Sequence, residues 1–65
     1  MKITINGTPQ EIAAGTVAEV LELLGQSDAV VATALNESFV PAGARAGAVL
    51  HDGDRLEIVA PRQGG

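Results

Sequence analysis

The sequence predicts an α+β domain in which a mixed sheet of four to five strands carries one main helix on one face. Three observations predict it. Segments near both ends of the chain alternate apolar and polar residues at the strand period of two. One segment between them sets its apolar residues at helical spacing behind a capping pair. Asn-Gly, Asp-Gly-Asp and Pro punctuate the intervals. With 65 residues, 46% of them apolar, the chain is a single domain near the lower size limit for folding without disulfides or metals. Residues 1–60 read as that domain and residues 61–65 as a flexible C-terminal tail.

Met1, Ile3 and Ile5 alternate with Lys2, Thr4 and Asn6, so the first strand buries one face. Asn6-Gly7 tolerates the positive φ that both central positions of a type I′ turn require, and the chain reverses there. A second strand runs roughly from Pro9 to Ala13. Pro9 has no N–H for a ladder and Ile12 is the one strongly apolar residue, which places this strand at a sheet edge.

Thr16 caps the amide of Glu19, and Glu19 reaches back to the Thr16 amide, the reciprocal capping box. Val17, Val20, Leu21 and Leu24 then form one apolar stripe, Glu19 and Glu22 face water, and Gly25 ends the helix. Burial is worth about 1.5–3 kcal/mol per large side chain of that stripe, so the helix exists only docked on the sheet.

The run Val30-Val31-Ala32-Thr33-Ala34-Leu35 has strand length but is apolar on both faces, so alternation leaves open which set meets the helix. Asn36-Glu37-Ser38 turns into a short strand, Phe39-Val40, that Pro41 stops. The glycines of residues 42–48 weaken any helix, leaving a loop or one short helical turn. Val49 and Leu50 anchor this connection beneath the sheet. Asp52-Gly53-Asp54 is a tight turn before a last strand, Arg55 to Val59, with Leu56 and Ile58 inward. A right-handed crossover through the helix sets the first and last strands side by side and parallel in the middle of the sheet, the β-grasp arrangement.

Composition narrows the function. Eight acidic residues against four basic ones give a net charge of −4, which repels phosphate backbones, and one Phe with no Trp or Tyr provides no stacking platform, so nucleic acid is excluded as a partner. No apolar run approaches a bilayer span and no targeting pattern is present; with cysteine absent, the expectation is a protein of the cytoplasm, not of a membrane, and a monomer when free.

No side chain offers a credible catalytic site. His51 is the one residue suited to proton transfer near neutral pH, but it stands beside a turn with no nucleophile or metal partner in sight. Asp52 and Asp54 lack the other ligands of a calcium loop, and no metal is assigned. Ser27 and Ser38 have no triad context, and Gly43 and Gly47 lack phosphate-loop spacing. If the chain takes part in covalent chemistry, the candidate reactive group is the C-terminal carboxylate of Gly65, the alternative being that Gly64-Gly65 is only a frayed end. With an ordinary pKa near 3.5 the carboxylate is ionised at pH 7, able to attack the α-phosphate of ATP once another protein positions the two. Gly64 and Gly65, having no Cβ, let the tail thread a narrow channel.

Three segments, Ala34-Leu35-Asn36-Glu37-Ser38-Phe39-Val40-Pro41, Leu50-His51-Asp52-Gly53-Asp54-Arg55-Leu56-Glu57-Ile58-Val59 and Ala60-Pro61-Arg62-Gln63-Gly64-Gly65, make the chain resemble, over its whole length, the thiamine-biosynthesis sulfur carrier proteins, small bacterial relatives of ubiquitin. The Gly-Gly end and the Asp-Gly-Asp turn are shared with neighbouring carrier families, whereas the length and the Pro-x-Gln-Gly-Gly ending favour the thiamine one. The Gly- and Ala-rich segment 42–48 departs from the more helical, polar stretch frequent in the family.

The resemblance implies a protein co-substrate rather than an enzyme. An adenylating (E1-like) enzyme, using ATP and Mg that the carrier itself does not hold stably, would convert the Gly65 carboxylate to an acyl adenylate, with Arg62, Gln63 and Gly64 as the threaded tail. A cysteine-derived persulfide would supply sulfur to give a thiocarboxylate, and thiazole synthase would accept it. Whichever apolar set of residues 30–35 is left uncovered would offer a partner surface, with Phe39, Val31 and Leu35 as candidates; the alternative is that most of these side chains are core. Three other functions stay open: a sulfur carrier for molybdopterin, cysteine or thiolated tRNA, a ubiquitin-like conjugation tag, and a domain that docks without covalent chemistry.

Overall fold

A computed structural model describes residues 1–60. Along the chain follow β1 (Lys2–Ile5), β2 (Thr8–Glu11), α1 (Val17–Leu23), β3 (Ala32–Leu35), β4 (Ser38–Val40), a 3-10 helix (Ala42–Gly47) and β5 (Arg55–Val59). One five-stranded sheet has the order β2-β1-β5-β3-β4. β1 and β5 pair in parallel and the other three pairs are antiparallel, so the crossover through α1 brings the first and last strands together at the centre, as the alternation in each strand predicts. β2 lies at an edge, where Pro9 removes no needed donor.

The core fills the space between α1 and one face of the sheet. Ile3 and Ile5 of β1, Leu56 of β5, Val17 and Val20 of α1 and Leu50 form one buried cluster, and Ile12, Leu35 and Ile58 pack around it half-buried. Val40 and Leu21 are buried as well. α1 ends as its sequence requires: Gly25, at φ 73°, lets its own N–H reach the Glu22 carbonyl at 3.1 Å while Gln26 N–H bonds the Leu21 carbonyl at 2.8 Å.

Several details depart from the sequence reading. Thr16 Oγ1 does accept from Glu19 N–H at 3.2 Å, but Glu19 Oε1 accepts from Gly15 N–H at 2.6 Å rather than from Thr16. The Thr16 backbone instead bridges Val49, where Val17 N–H bonds Ala48 and Leu50 N–H bonds Gly15. That bridge turns Leu50 into the core and leaves Val49 56% exposed, so only one of the pair anchors the connection. Met1 is exposed because its ammonium, 2.7 Å from Glu11 Oε2, stays at the surface. Leu24, last in the apolar stripe, falls in the C-terminal turn of α1 and is exposed. β2 begins at Thr8 and stops at Glu11, and β3 begins only at Ala32, opposite Val59 at the end of β5, while the Val31 carbonyl accepts from Arg45 Nη2 at 2.6 Å. The segment after Pro41 forms the 3-10 helix Ala42–Gly47.

Candidate functional site

Gly65, Gly64, Gln63 and Arg62 lie outside the described residues. What the structure positions is the strand that leads to them and the two sheet faces beside it. β5 lies between β1 and β3 in the sheet, and Val59, its last residue, pairs with Ala32 of β3.

The register assigns the faces that alternation left open. Thr33 of β3 opposes Val40 and Ile58; it is 1% exposed and looks into the core. Leu35 and Val31 share its parity, Leu35 packing half-buried against the core and Val31 half-buried beside it. Ala34 opposes Phe39 on β4 and Glu57 on β5, and Ala32 opposes Val59, so these residues share the other face. Among the described residues no layer covers that face: Phe39 is 70% and Val59 59% exposed. The structure therefore brings Phe39 together with Val59, Ala32 and Ala34, and sets Val31 and Leu35 on the helix side of the sheet. Val59 was legible as outward from the alternation of β5; its meeting with Ala32 and Phe39 depends on a cross-strand register that no local pattern carries.

Charge frames the apolar surface. Glu57 lies within it, and Arg55 Nη1 donates to Glu37 Oε2 at 3.2 Å across its rim. The β1 half of the same face is polar, with Lys2 and Thr4 pointing away from the Ile3 and Ile5 side. An apolar patch with one carboxylate, Glu57, within it and an ion pair at its rim suits a partner surface that is mostly apolar and sets a cation opposite Glu57.

The strand's start is fixed by the Asp52-Gly53-Asp54 turn, with Gly53 at φ 91°. Asp52 Oδ1 accepts from Lys2 N–H at 2.7 Å, tying the turn to β1. Asp54 accepts from the Asn36 carboxamide at 3.0 Å and from His51 N–H at 2.7 Å. The Asn36 bond, then the His51 amide and the nearby imidazole, hold the Asp54 carboxyl below its ordinary range against the opposing effect of burial. These two carboxylates are thus bound up in the turn. His51 itself projects into solvent, its Nδ1 3.8 Å from Asp54 Oδ2. Among the described residues no group of three or more His, Cys, Asp and Glu side chains lies close enough to hold a metal ion, and no helix is long and apolar enough to cross a membrane. This part of the chain presents the two sheet faces and holds the start of β5 in place.

Comparison with known proteins agrees with the geometry. The family model described as ThiS family matches residues 3–65. A crystal structure of a thiamine biosynthesis protein (ThiS) from Geobacter metallireducens superposes with a TM-score of 0.82 at 30% identity, covering 100% of both chains. An NMR solution structure of a thiamine biosynthesis protein from Geobacter metallireducens gives a TM-score of 0.79 at 28% identity, covering 100% of this chain and 88% of that one. No curated protein matches. With a family match over nearly the whole chain and superposition on a ThiS structure along its full length, the chain belongs to the ThiS family.

Proposed function

We propose that this protein is the sulfur carrier of thiamine biosynthesis and that Gly65 is the residue on which sulfur travels. The observation that carries the reading is the family match running through residue 65, so that the terminal Gly64-Gly65 is part of the matched sequence. A Gly65 carboxylate oxygen attacks the α-phosphorus of ATP in a partner adenylating enzyme, and pyrophosphate leaves. The terminal sulfur of a cysteine-derived persulfide attacks the acyl carbon and AMP leaves; a thiol then cleaves the resulting acyl disulfide, and a thiocarboxylate remains. This softer nucleophile delivers its sulfur to thiazole synthase.

The domain's part is recognition. The uncovered face with Phe39, Val59 and Ala34 is where the adenylating enzyme docks, while Val31 and Leu35 support β3 from the helix side. Arg62, Gln63 and Gly64 supply the threaded reach.

The test is the intact mass of the full chain after incubation with a cognate adenylating enzyme, ATP, Mg and a persulfide source. A gain equal to exchanging one oxygen for sulfur, absent when Gly65 is deleted, is the expected result. Sulfur transfer by the truncated chain would overturn the mechanism. Formation of isopeptide adducts in its place would favour a conjugation tag.

A further inference from the structure

β1 and β5 stop pairing through their backbones before β5 ends. Asn6 N–H donates to the Leu56 carbonyl at 2.9 Å, after which β1 turns away, with Asn6 at φ 51° and Gly7 at φ 83°. The next rung of the parallel ladder, which Ile58 would need, has no backbone partner there. The Asn6 side chain supplies it: Oδ1 accepts from Ile58 N–H at 2.8 Å and Nδ2 donates to the Ile58 carbonyl at 3.0 Å. Ile58, opposite Thr33 of β3 on its other flank, lies two positions before Ala60.

We propose that the Asn6 carboxamide is a positioning residue for the C-terminal carboxylate, fixing the direction in which β5 delivers the tail to the partner enzyme. This rests on the sulfur-carrier reading. The carboxylate lies five residues beyond Ala60, and the point and direction from which those residues leave the sheet are set where Ile58 is held. In-line attack requires the reacting atoms within about 3–3.5 Å. The docking surface, on the β3, β4 and β5 side of the outer face, does not include Asn6. Loosening the exit therefore lowers the fraction of docked complexes that are productive, which is a kcat effect, and leaves docking intact.

Asn36 provides the internal control. It too opens a hairpin turn with positive φ, at 50°, and its carboxamide also binds β5, with Oδ1 accepting from Arg55 N–H at 2.9 Å. It holds the strand's beginning, where Asn6 holds its end. Gly at either position keeps the turn conformation and removes the carboxamide.

The experiment compares the full-length wild type with N6G, N6D and N36G, reading amide exchange by NMR and pyrophosphate release with the cognate adenylating enzyme. In N6G the Ile58 amide should exchange about tenfold faster. Its kcat for adenylation should fall about three- to tenfold, with KM for the carrier within about twofold. N6D, which keeps an acceptor for Ile58 N–H, should lose less, and N36G should speed exchange at Arg55 while leaving kcat unchanged. Wild-type kcat in N6G, equal kcat losses in N6G and N36G, or a change in KM alone would overturn the proposal. Should N6G fail to fold, N6D against wild type carries the same test. If wild type itself is not adenylated, the positioning role falls with the carrier reading, while the exchange data still report whether Asn6 holds Ile58.

Discussion

The two faces of the sheet are built from the same strands and have opposite fates. In β5, Leu56 is 0% exposed against Val17 and Val20 of α1, while Val59 on the other face is 59% exposed. In β4, Val40 is buried and Phe39, the one aromatic residue of the chain, is 70% exposed. A domain of this size has few large side chains and needs them inside. Leaving its only Phe in water forgoes stability that burial would have provided. The inner face thus answers to folding, and the outer face is free to answer to a partner.

The largest effect that would test this contrast is Leu56→Ala. Removing a fully buried side chain in contact with both layers should cost about 2–5 kcal/mol, a large part of what so small a domain has. Phe39→Ala should change stability by no more than about 0.5 kcal/mol, since the side chain packs against little. It should nevertheless raise KM for the adenylating enzyme by an order of magnitude or more, as truncating an aromatic anchor does. Urea titrations of both variants, beside adenylation kinetics of the Phe39 variant, measure the contrast directly. If Phe39→Ala destabilises as much as Leu56→Ala, the outer face is folding surface and the division fails.

A finer test lies on the inner face. Thr33 is the one buried polar residue among the described residues; its hydroxyl donates to the Val40 carbonyl at 2.8 Å and accepts from Arg45 Nε at 3.2 Å. Val has nearly the same shape, so Thr33→Val leaves packing intact and strands both partners. The expected loss is about 1–3 kcal/mol by thermal or urea unfolding. A neutral result would mean that water or an alternative partner replaces the hydroxyl, and that the backbone ladder and packing suffice to hold the β3–β4 edge.

Much of this fold was legible in the sequence because its determinants are local. Asn6-Gly7, Thr16 with Glu19, and Gly25 each specify a turn, a start or a stop within a few residues, and Ile3, Ile5 and Leu56 declare their face by alternation. What was not legible is what distant segments settle. Residues 30–35 are apolar on both sides, and only pairing Thr33 with Val40 and Ile58 decides that Ala34 faces outward with Phe39. Val49 and Leu50 were indistinguishable until the bridge to Thr16 turned one inward. For the candidate site, Gly64-Gly65 could be read as a motif, whereas the Phe39 surface draws on three strands and the Asn6 bond to Ile58 spans most of the chain. Asn6 as a turn residue was visible; Asn6 as a substitute rung was not.

The turn before β5 belongs to neither face, and acid should separate it from both. Asp54 uses its two carboxylate oxygens on separate donors, the Asn36 carboxamide and the His51 amide. These bonds hold its folded pKa below the ordinary 3.8. A carboxyl whose pKa is depressed by folding stabilises the folded state while it is ionised in both states. That contribution is complete above about pH 4 and disappears as pH falls through the lower folded value. Asn at this position offers one acceptor oxygen for two donors. Asp54→Asn should therefore melt below wild type at pH 7, and the gap should narrow as pH is lowered from 4 toward 2, when wild type loses the same charge. Thermal melts of the two proteins across that range read the gap. A gap that stays constant with pH would show that the geometry of the turn, and not the charge of Asp54, holds the start of β5. Leu56→Ala and Phe39→Ala, which carry no titrating group, should show wild-type pH dependence in the same melts.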